Sequence, residues 1–384
     1  MANLSENYAT QLASAVRLTD EMILLQAQQI MEQNLIPDLF NIIPYIVLVL
    51  NKERQILYSN NVLFETLGLP SHAKLLGLRP GEVLDCIHAD ETPEGCGTTE
   101  YCSVCGAVLA ILESQMTKEP VSKECLLTAK SDSGTKSFEL LVYSIPVRAA
   151  GDEYTLFIIR DISEEKRKQI FEQVFFHDLL NTSGSLKGFV EIMREAMDLN
   201  EVHELSAHAD EVVDILIDEI NSQKDLIAAE NGELKLNLST FSVKDLILKL
   251  VDFYQKNDIV LCPIHICCNE DIMVTNDVVL VRRIVNNMLK NAIEASEEEA
   301  VSIGVRKKDG YVEFRVNNKQ YIPREVQLQI FKRSYSSKGF GRGIGTYSMK
   351  LLGEKYLGGY VDFTSEVDDG TNFVFGLPVS AEEV

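Results

Sequence analysis

The chain has 384 residues, of which 46% are hydrophobic and 24% charged, and its formal net charge is −22 at pH 7. The length favours two or three domains, and the composition is that of a globular protein. A chain this acidic, with no block of Lys or Arg, is poorly suited to a phosphate backbone, so we expect no nucleic-acid partner. No apolar run reaches the roughly 18–20 residues that span a bilayer, and the first residues lack a signal-peptide pattern. We therefore expect a cytoplasmic protein without a membrane span, in which clustered cysteines indicate metal or redox chemistry.

The first segment, residues 1–40, is predicted to be helical. It contains helix-forming residues from Leu4 to about Gln33 with no Gly or Pro among them. Pro37 and Pro44 then interrupt the pattern, so the leading helix is expected to end before them.

Residues 41–163 alternate short β-rich runs with turns. Two predicted strands come first, YIVLVL and ILYSN; after short helices come ECLLTA, KSFELLVYSIPV and EYTLFIIRDI. This order of elements resembles that of a PAS sensor domain. The closing residues Arg160-Asp161-Ile162-Ser163 also resemble the signature by which PAS domains lead into a signalling helix. The resemblance implies an antiparallel-sheet sensor domain.

Residues 164–232 are predicted to form a helical hairpin. Apolar residues recur at helical spacing after Ser163 and again from about His203 to Ala229, and Asn231-Gly232 ends the second helix. Two such helices cannot bury their apolar stripes alone. A four-helix bundle formed by two chains solves this, so we expect a homodimer.

The first hairpin helix carries His177-Asp178-Leu179-Leu180-Asn181. An isolated helical histidine is usually a partly exposed surface residue, but here Asp178 can orient the ring and take its proton. Asn181 lies one turn further on the same face, where it can position water or phosphoryl oxygens. The arrangement resembles the H-D-x-x-N phosphoacceptor motif of histidine kinases, although the usual following Pro is absent. The resemblance implies that His177 accepts a phosphoryl group.

Residues 233–384 mix strands and helices, and the segment Arg282 to Ala295 resembles the N box of the GHKL ATPase superfamily. Asn287 and Asn291 are spaced i, i+4, which places two carboxamide oxygens on one helix face. The resemblance covers roughly Phe241 to Val384 and implies an α/β sandwich that binds ATP, with Asn291 as a ligand of Mg²⁺.

Further family motifs follow in the expected order. The segment Ile330 to Lys338 is similar to the F box and lid of histidine kinases, and the next glycine-rich run resembles the glycine box, where backbone N–H groups can approach phosphates. Gly370-Thr371 matches the last glycine box, whose Thr is implied to hydrogen-bond near adenine. The resemblance therefore implies nucleotide contacts at Lys338, Gly341, Arg342, Gly343, Gly345 and Thr371.

One segment departs from the family pattern. The adenine-reading loop Asp-x-Gly-x-Gly is replaced by Asn317-Asn318-Lys319-Gln320-Tyr321. Asn317 can still accept a hydrogen bond through its carbonyl oxygen, but without the charge that makes such bonds roughly twice as strong. Two hypotheses remain. The chain is an active kinase with a modified adenine pocket, or a pseudokinase that acts as a scaffold or as a phosphatase of its partner.

The sensor-like region also holds a cysteine cluster, Cys96-x5-Cys102-x2-Cys105, with Cys86 and His88 before it. Three or four thiolates can ligate zinc or an Fe–S cluster, but the spacing matches no standard motif, so the metal cannot be named. Reduced structural thiols are the alternative. Cys125, which lies in a predicted strand, is interpreted as a packing residue.

The sequence thus predicts a multidomain α+β protein. It consists of a PAS-like antiparallel-sheet domain, a two-helix hairpin that dimerises into a four-helix bundle, and an α/β GHKL ATPase sandwich. The resemblance implies a two-component histidine kinase that uses ATP and Mg²⁺ and passes its phosphoryl group to the receiver domain of a response regulator.

Overall fold

The computed structural model describes residues 12–32, 36–70, 74–131, 134–149, 151–170, 176–196, 198–256, 262–268, 270–296, 299–333, 335 and 344–379. The chain divides into two compact units, Met1–Lys168 and Gln169–Val384, and each unit is described by itself. Within the described ranges, no helix combines the length and apolar character needed to cross a membrane.

The first unit is built around an antiparallel sheet. Its strands are β1 (Ile46–Leu50), β2 (Ile56–Ser59), β3 (Val121–Ser131), β4 (Gly134–Ala149) and β5 (Asp152–Asp161). They pair in the order β2-β1-β5-β4-β3. The chain therefore runs through two strands, then short helices, then three strands that return to the same sheet.

Helices cover and connect these strands. They are α1 (Asp20–Met31), α2 (Ile36–Ile42), α3 (Asn61–Leu67), α4 (Pro80–Val83), a 3-10 turn (Glu100–Val104), α5 (Gly106–Thr117) and α6 (Ser163–Ile170). Strand β1 is buried along its whole length. One face, with Leu48 and Leu50, joins the main core, while Val49 on the other face lies in a second cluster with Ile23 and Ile30 of α1. Burial on both faces explains the continuous apolar run in its sequence.

The leading helix is shorter than the sequence predicts. In the described residues it begins at Asp20, after Thr19, whose side chain accepts a hydrogen bond from the backbone N–H of Met22. The residues before Thr19 are held outside a helix by the buried guanidinium of Arg79. It donates to the carbonyl oxygens of Ser14 at 3.2 Å and Val16 at 2.9 Å. Because those carbonyl oxygens accept hydrogen bonds from Arg79, which is distant in sequence, the sequence pattern alone could not predict where the helix begins.

The second unit begins with two long helices, α7 (Phe176–Glu195) and α8 (Leu199–Asn231), which pack against each other. Its larger sheet contains β7 (Ile264–Cys267), β9 (Val301–Lys308), β10 (Tyr311–Asn318), β11 (Tyr360–Glu366) and β12 (Gly370–Pro378). The order is β11-β12-β10-β9-β7, with β7 parallel to β9. A smaller antiparallel sheet pairs β6 (Ser239–Ser242) with β8 (Met273–Asn276).

Helices on one side of this sheet complete the core. They are α9 (Val243–Lys256), α10 (Val278–Ala295), α11 (Arg324–Gln327), α12 (Gly345–Lys350) and a π-helical segment (Leu351–Tyr356). One face of α10, including Ile284, Met288 and Leu289, is buried against Phe314 and Phe375 of the sheet. This helix therefore forms the centre of the core.

The start of α10 is set by a buried cap. The carboxylate of Asp277 accepts hydrogen bonds from the backbone N–H groups of Val279 and Leu280, at 3.0 and 3.1 Å. It also accepts one from the backbone N–H of Asn237 at 2.8 Å. The cap thus ties the segment after α8 to the first turn of α10.

We predict that Asp277→Ala lowers the free energy of unfolding by about 1–2 kcal/mol, because a capping carboxylate and its buried bonds are lost. Urea denaturation of the full chain, followed by far-UV circular dichroism, measures this loss. Asp369→Ala, in an exposed turn, is the control and should change stability by less than about 0.5 kcal/mol. Equal effects of the two substitutions would contradict the capping role.

Candidate functional site

The predicted phosphoacceptor motif lies near the start of α7. His177, Asp178 and Asn181 are all within this helix, and their side chains lie outside the described part of the structure. Helix α7 packs against α8, where the ring of Phe189 stacks on His208 with centroids 6.0 Å apart. The roles assigned to the three residues stay predictions.

The asparagine pair lies on the rim of the buried face of α10. Asn287 and Asn291 are half-buried and adjacent to the fully buried Met288 and Ala292. Within the described residues, neither carboxamide has a hydrogen-bond partner. Asn286, by contrast, accepts a hydrogen bond from the hydroxyl of Tyr254 at 2.8 Å. The i, i+4 pair therefore presents two polar groups that the described structure leaves available to a ligand.

Ion pairs attach this region to α8. Arg282 and Arg283 of α10 contact Asp218 and Asp225 of α8, at 2.9 and 3.1 Å. The guanidinium of Arg333, which precedes the predicted lid, reaches both carboxylate oxygens of Glu230, with Nε 2.6 Å from Oε1 and Nη2 3.2 Å from Oε2.

The Arg333–Glu230 pair is the more protected one. Both of its side chains are at most 14% exposed, and a bidentate, water-shielded pair is stronger than a surface pair. The hydroxyl of Tyr356 adds a bond of 2.6 Å to the carbonyl oxygen of Ala229. The end of α8 is thus fixed to the sheet domain.

The altered loop is held by a relay of hydrogen bonds. The hydroxyl of Thr371 donates to the carbonyl oxygen of Gln320 at 2.7 Å and lies 2.8 Å from the hydroxyl of Ser365. Since the single proton of Thr371 is used, Ser365 donates to Thr371 and accepts from the N–H of Ile322 at 2.8 Å. The side chain of Thr371 therefore supports the loop, and its direct contact with a nucleotide stays a prediction.

Asn317 takes part in the same region through its amide. Its Nδ2 donates to the carbonyl oxygen of Thr371 at 3.1 Å. This bond fixes the orientation of the carboxamide, and the carbonyl oxygen of Asn317 remains as the acceptor. An Asp at this position would place a carboxylate against the carbonyl of Thr371, so the substituted residue suits the local geometry.

The glycine-rich run is only partly described. Gly345 begins α12, and the hydroxyl of Thr346 donates to the carbonyl oxygen of Ile330. This bond joins the glycine box to the first residue of the predicted F-box segment. The predicted contacts at Lys338, Gly341, Arg342 and Gly343 lie outside the described residues.

Comparison with known families agrees with this geometry. Residues 276–381 match the family described as histidine kinase-, DNA gyrase B- and HSP90-like ATPases. This region is an ATPase domain of that family. No curated protein matches the sequence.

The solved structures that match this chain include several histidine kinases. The catalytic domain of ThkA is 25% identical, with 38% of this chain and 99% of that chain covered and a TM-score of 0.34. Acinetobacter baumannii AdeS is 17% identical, with 53% and 98% covered and a TM-score of 0.37. ThkA in complex with the response regulator TrrA is 20% identical, with 87% and 96% covered and a TM-score of 0.36.

The predicted cysteine cluster lies in the first unit. Cys96, Cys102 and Cys105 share a small apolar cluster with Ala13 and Val108. Burial and the neighbouring thiols raise the pKa of the Cys96 thiol, so that it stays protonated at neutral pH. The sequence predicted that these cysteines lie close together. The structure shows in addition that Cys102 is buried and that Cys96 and Cys105 are half-buried.

The predicted metal centre at Cys86, Cys96, Cys102 and Cys105 is not supported by a ligand geometry. Among the described residues, no group of three or more His, Cys, Asp and Glu side chains is arranged to hold a metal ion. His88 is engaged elsewhere, since its Nδ1 lies 2.6 Å from Glu91 and its ring stacks on Tyr101. A metal or Fe–S centre stays a prediction.

Sequence reasoning missed one contact of a fifth cysteine of this region. Cys125 packs in the core, as interpreted, and its Sγ also lies 3.8 Å from that of Cys105. Spacing along the chain could not reveal this contact, because it joins the start of α5 to the middle of β3. It also missed the buried arginine beside the cluster, Arg79, which binds the carbonyl oxygen of Cys96 at 3.1 Å.

We predict that Gly370→Ala weakens ATP binding at least about tenfold, which is about 1.4 kcal/mol. Gly370 has φ +75°, and an added Cβ would lie 2.2 Å from the carbonyl oxygen of Asn318 and 2.7 Å from Cα of Lys319. The substitution must therefore displace the loop that Thr371 supports. Isothermal titration calorimetry of the full chain measures the change.

Gly310→Ala is the matched control. It has a similar φ of +85° but no atom within 4 Å of the added Cβ, so it costs the left-handed backbone penalty of about 1–2 kcal/mol in stability alone. If both variants lose ATP affinity equally, backbone strain rather than the loop contact is responsible.

Proposed function

We propose that this chain is a cytoplasmic sensor histidine kinase that phosphorylates its own His177 with ATP and transfers the phosphoryl group to an aspartate of a response regulator. The observation that carries the proposal is the position of the matched ATPase domain. It is joined through Arg333 and Glu230 to the helix that pairs with α7, which bears the His177 motif. A nucleotide domain next to a phosphoacceptor helix is the arrangement that autophosphorylation requires.

The residues around α10 fit the cofactor that the family implies. Mg²⁺ prefers oxygen ligands and keeps several waters, and Asn287 and Asn291 offer half-buried carboxamides without a partner among the described residues. Mg²⁺ would neutralise charge on the triphosphate there. Asn291 would supply a ligand oxygen, and Asn287 would orient a phosphate or a bound water. Lys338 and Arg342 are proposed to bind phosphate oxygens.

At the other end of the nucleotide, Asn317 is proposed to accept a hydrogen bond from the adenine amino group. Its amide is already held by the carbonyl oxygen of Thr371, which aims the remaining carbonyl oxygen. The alternative is a pseudokinase or phosphatase scaffold, favoured by the missing carboxylate and loop glycines. The relay from Thr371 to Gln320 favours the kinase, because it shapes the loop by other means.

The sensor is proposed to be the PAS-like region of residues 41–163. Its strands follow the expected order along the chain and lie in one antiparallel sheet, which supports the assignment. The net charge of −22 supports a protein partner rather than a nucleic acid.

The hairpin of residues 164–232 is proposed to form a homodimer. Large apolar side chains on α7 and α8 are exposed in the single chain: Val190, Ile192, Leu199, Ile217, Ile220 and Ile227 are each at least 40% exposed. Two antiparallel helices with such stripes are stable when a second copy covers them, as in a four-helix bundle.

We predict that the purified protein, incubated with γ-labelled ATP and Mg²⁺, acquires an acid-labile, base-stable label. His177→Gln should abolish the label because it removes the nucleophile, while His203→Gln on α8 should keep it. Absence of label at millimolar ATP would favour the pseudokinase.

Asn291→Ala should also abolish labelling, through loss of a Mg²⁺ ligand, with no loss of folding. Lys290→Ala, its exposed neighbour on α10, is the control. Labelling of the Asn291 variant at the wild-type rate, with the same Mg²⁺ dependence, would refute this role of the asparagine.

We predict a dimer at micromolar concentration, measured by size-exclusion chromatography with light scattering. Ile192→Glu combined with Ile220→Glu should yield monomers, because two charges would be buried in the bundle. Val367→Glu, at a residue 74% exposed in the ATPase domain, should remain dimeric. A monomeric wild-type protein would refute the bundle.

A further inference from the structure

Two cysteines of the first unit are close enough to react with each other. Cys105 is the N-cap residue of α5, and Cys125 lies on β3 with 2% of its surface exposed. Their Sγ atoms are 3.8 Å apart, whereas a disulfide needs about 2.05 Å. The two sulfur atoms are thus in contact, and a displacement of roughly 2 Å joins them.

The contact is enforced by the backbone. Gly106, the first residue of α5, lies so close to β3 that an added Cβ would be 1.9 Å from the carbonyl oxygen of Glu124. It would also be 3.2 Å from Cα of Cys125. Only glycine permits this approach. The start of α5 therefore cannot move far from Cys125, which keeps the two thiols together.

The other cysteines of the cluster are less suited to oxidation. Cys102 is 6% exposed and lies 3.3 Å from the hydroxyl of Thr99. The pKa of Cys96 is raised by burial, which disfavours the reactive thiolate. Cys105 is half-buried whereas Cys125 is buried, so Cys105 is the thiol of this pair that a small oxidant can reach.

An ion pair links the strand of Cys125 to the helix that leaves the sensor-like sheet. Glu124 directly precedes Cys125, and its Oε1 lies 2.6 Å from Nζ of Lys166 in α6. The Lys166 side chain is 12% exposed and that of Glu124 is 55% exposed, so only the lysine end of the pair is shielded from water. Because Glu124 and Cys125 are joined by one rigid peptide unit, a displacement of the Cys125 backbone also displaces Glu124.

We propose that Cys105 and Cys125 form a disulfide when the protein meets a peroxide, and that this bond loosens α6 through Glu124 and Lys166. The Cys105 thiolate attacks one peroxide oxygen, forming a sulfenic acid and releasing hydroxide, which takes up the thiol proton as water. The Cys125 thiol then attacks that sulfur; the S–S bond forms and a second water leaves. Two thiols are oxidised and one hydrogen peroxide is reduced to two waters.

The first experiment maps the bond. The reduced, full-length protein is treated with hydrogen peroxide, alkylated and digested for mass spectrometry. The expected result is loss of alkylation at Cys105 and Cys125 and appearance of their cross-linked peptide. Cys125→Ser should abolish this peptide, and Cys262→Ser, at a buried thiol of the second unit, should leave it unchanged.

The second experiment measures hydrogen–deuterium exchange in α6. Oxidation should accelerate exchange of the α6 amides in the wild type and leave Cys125→Ser unchanged. Glu124→Gln should still form the disulfide, but its α6 should exchange fast before oxidation and no faster afterwards. Glu119→Gln, at an exposed site before β3, is the control and should respond like the wild type.

Several outcomes would overturn the proposal. These are a disulfide between other cysteines, no disulfide at all, metal bound stoichiometrically by Cys105, or a disulfide without any change in α6. Neither readout uses ATP or His177, so an inactive kinase would refute the proposed function and leave this test intact.

Discussion

The packing of α10 on the larger sheet is the constraint on which the nucleotide site depends. Each residue turns an α-helix by about 100°, so burying Met288, Leu289 and Ala292 leaves Asn287 and Asn291 at the rim. A rotation of one residue would bury a carboxamide without a partner, which costs roughly 1–3 kcal/mol. The apolar stripe therefore orients the polar pair, and Asp277 fixes where the helix begins.

The sequence was most informative where one element carries both packing and chemistry. The spacing in α10 predicted the asparagine pair, and apolar runs such as YIVLVL predicted strands, because both patterns are local. The sequence was less informative where segments that are distant along the chain contact each other. The carbonyls of Ser14 and Val16 are bound by Arg79, so the leading helix begins later than predicted, at Asp20. The contact of Cys105 with Cys125 likewise depends on how α5 packs on β3.

Arg79 is the organising residue of the cysteine-rich loop. Its side chain is fully buried, and burial lowers its pKa to about 10, still well above neutral pH. A buried guanidinium is tolerated when its donors are satisfied. Here it binds the carbonyl oxygens of Glu94 and Cys96 as well as those of the N-terminal segment. The loop is therefore ordered by hydrogen bonds to the Arg79 cation. Its thiols are not needed to hold the loop in place, so they remain available for chemistry.

The altered adenine loop loses one charged hydrogen-bond acceptor, and the size of that loss decides whether the loop can still support catalysis. Replacing a charged acceptor by the carbonyl oxygen of Asn317 weakens one hydrogen bond by roughly 1 kcal/mol, since bonds to charged groups contribute about 1.5–3 kcal/mol and neutral bonds about 0.5–1.5. A change of that size raises the Kd for ATP about fivefold. The lost glycines would cost more if the loop were unsupported, but Gln320 and Ile322 are held through Thr371 and Ser365. If Asn317 binds adenine as proposed, we expect nucleotide binding to be weaker but adequate, which would favour the proposed kinase over a scaffold.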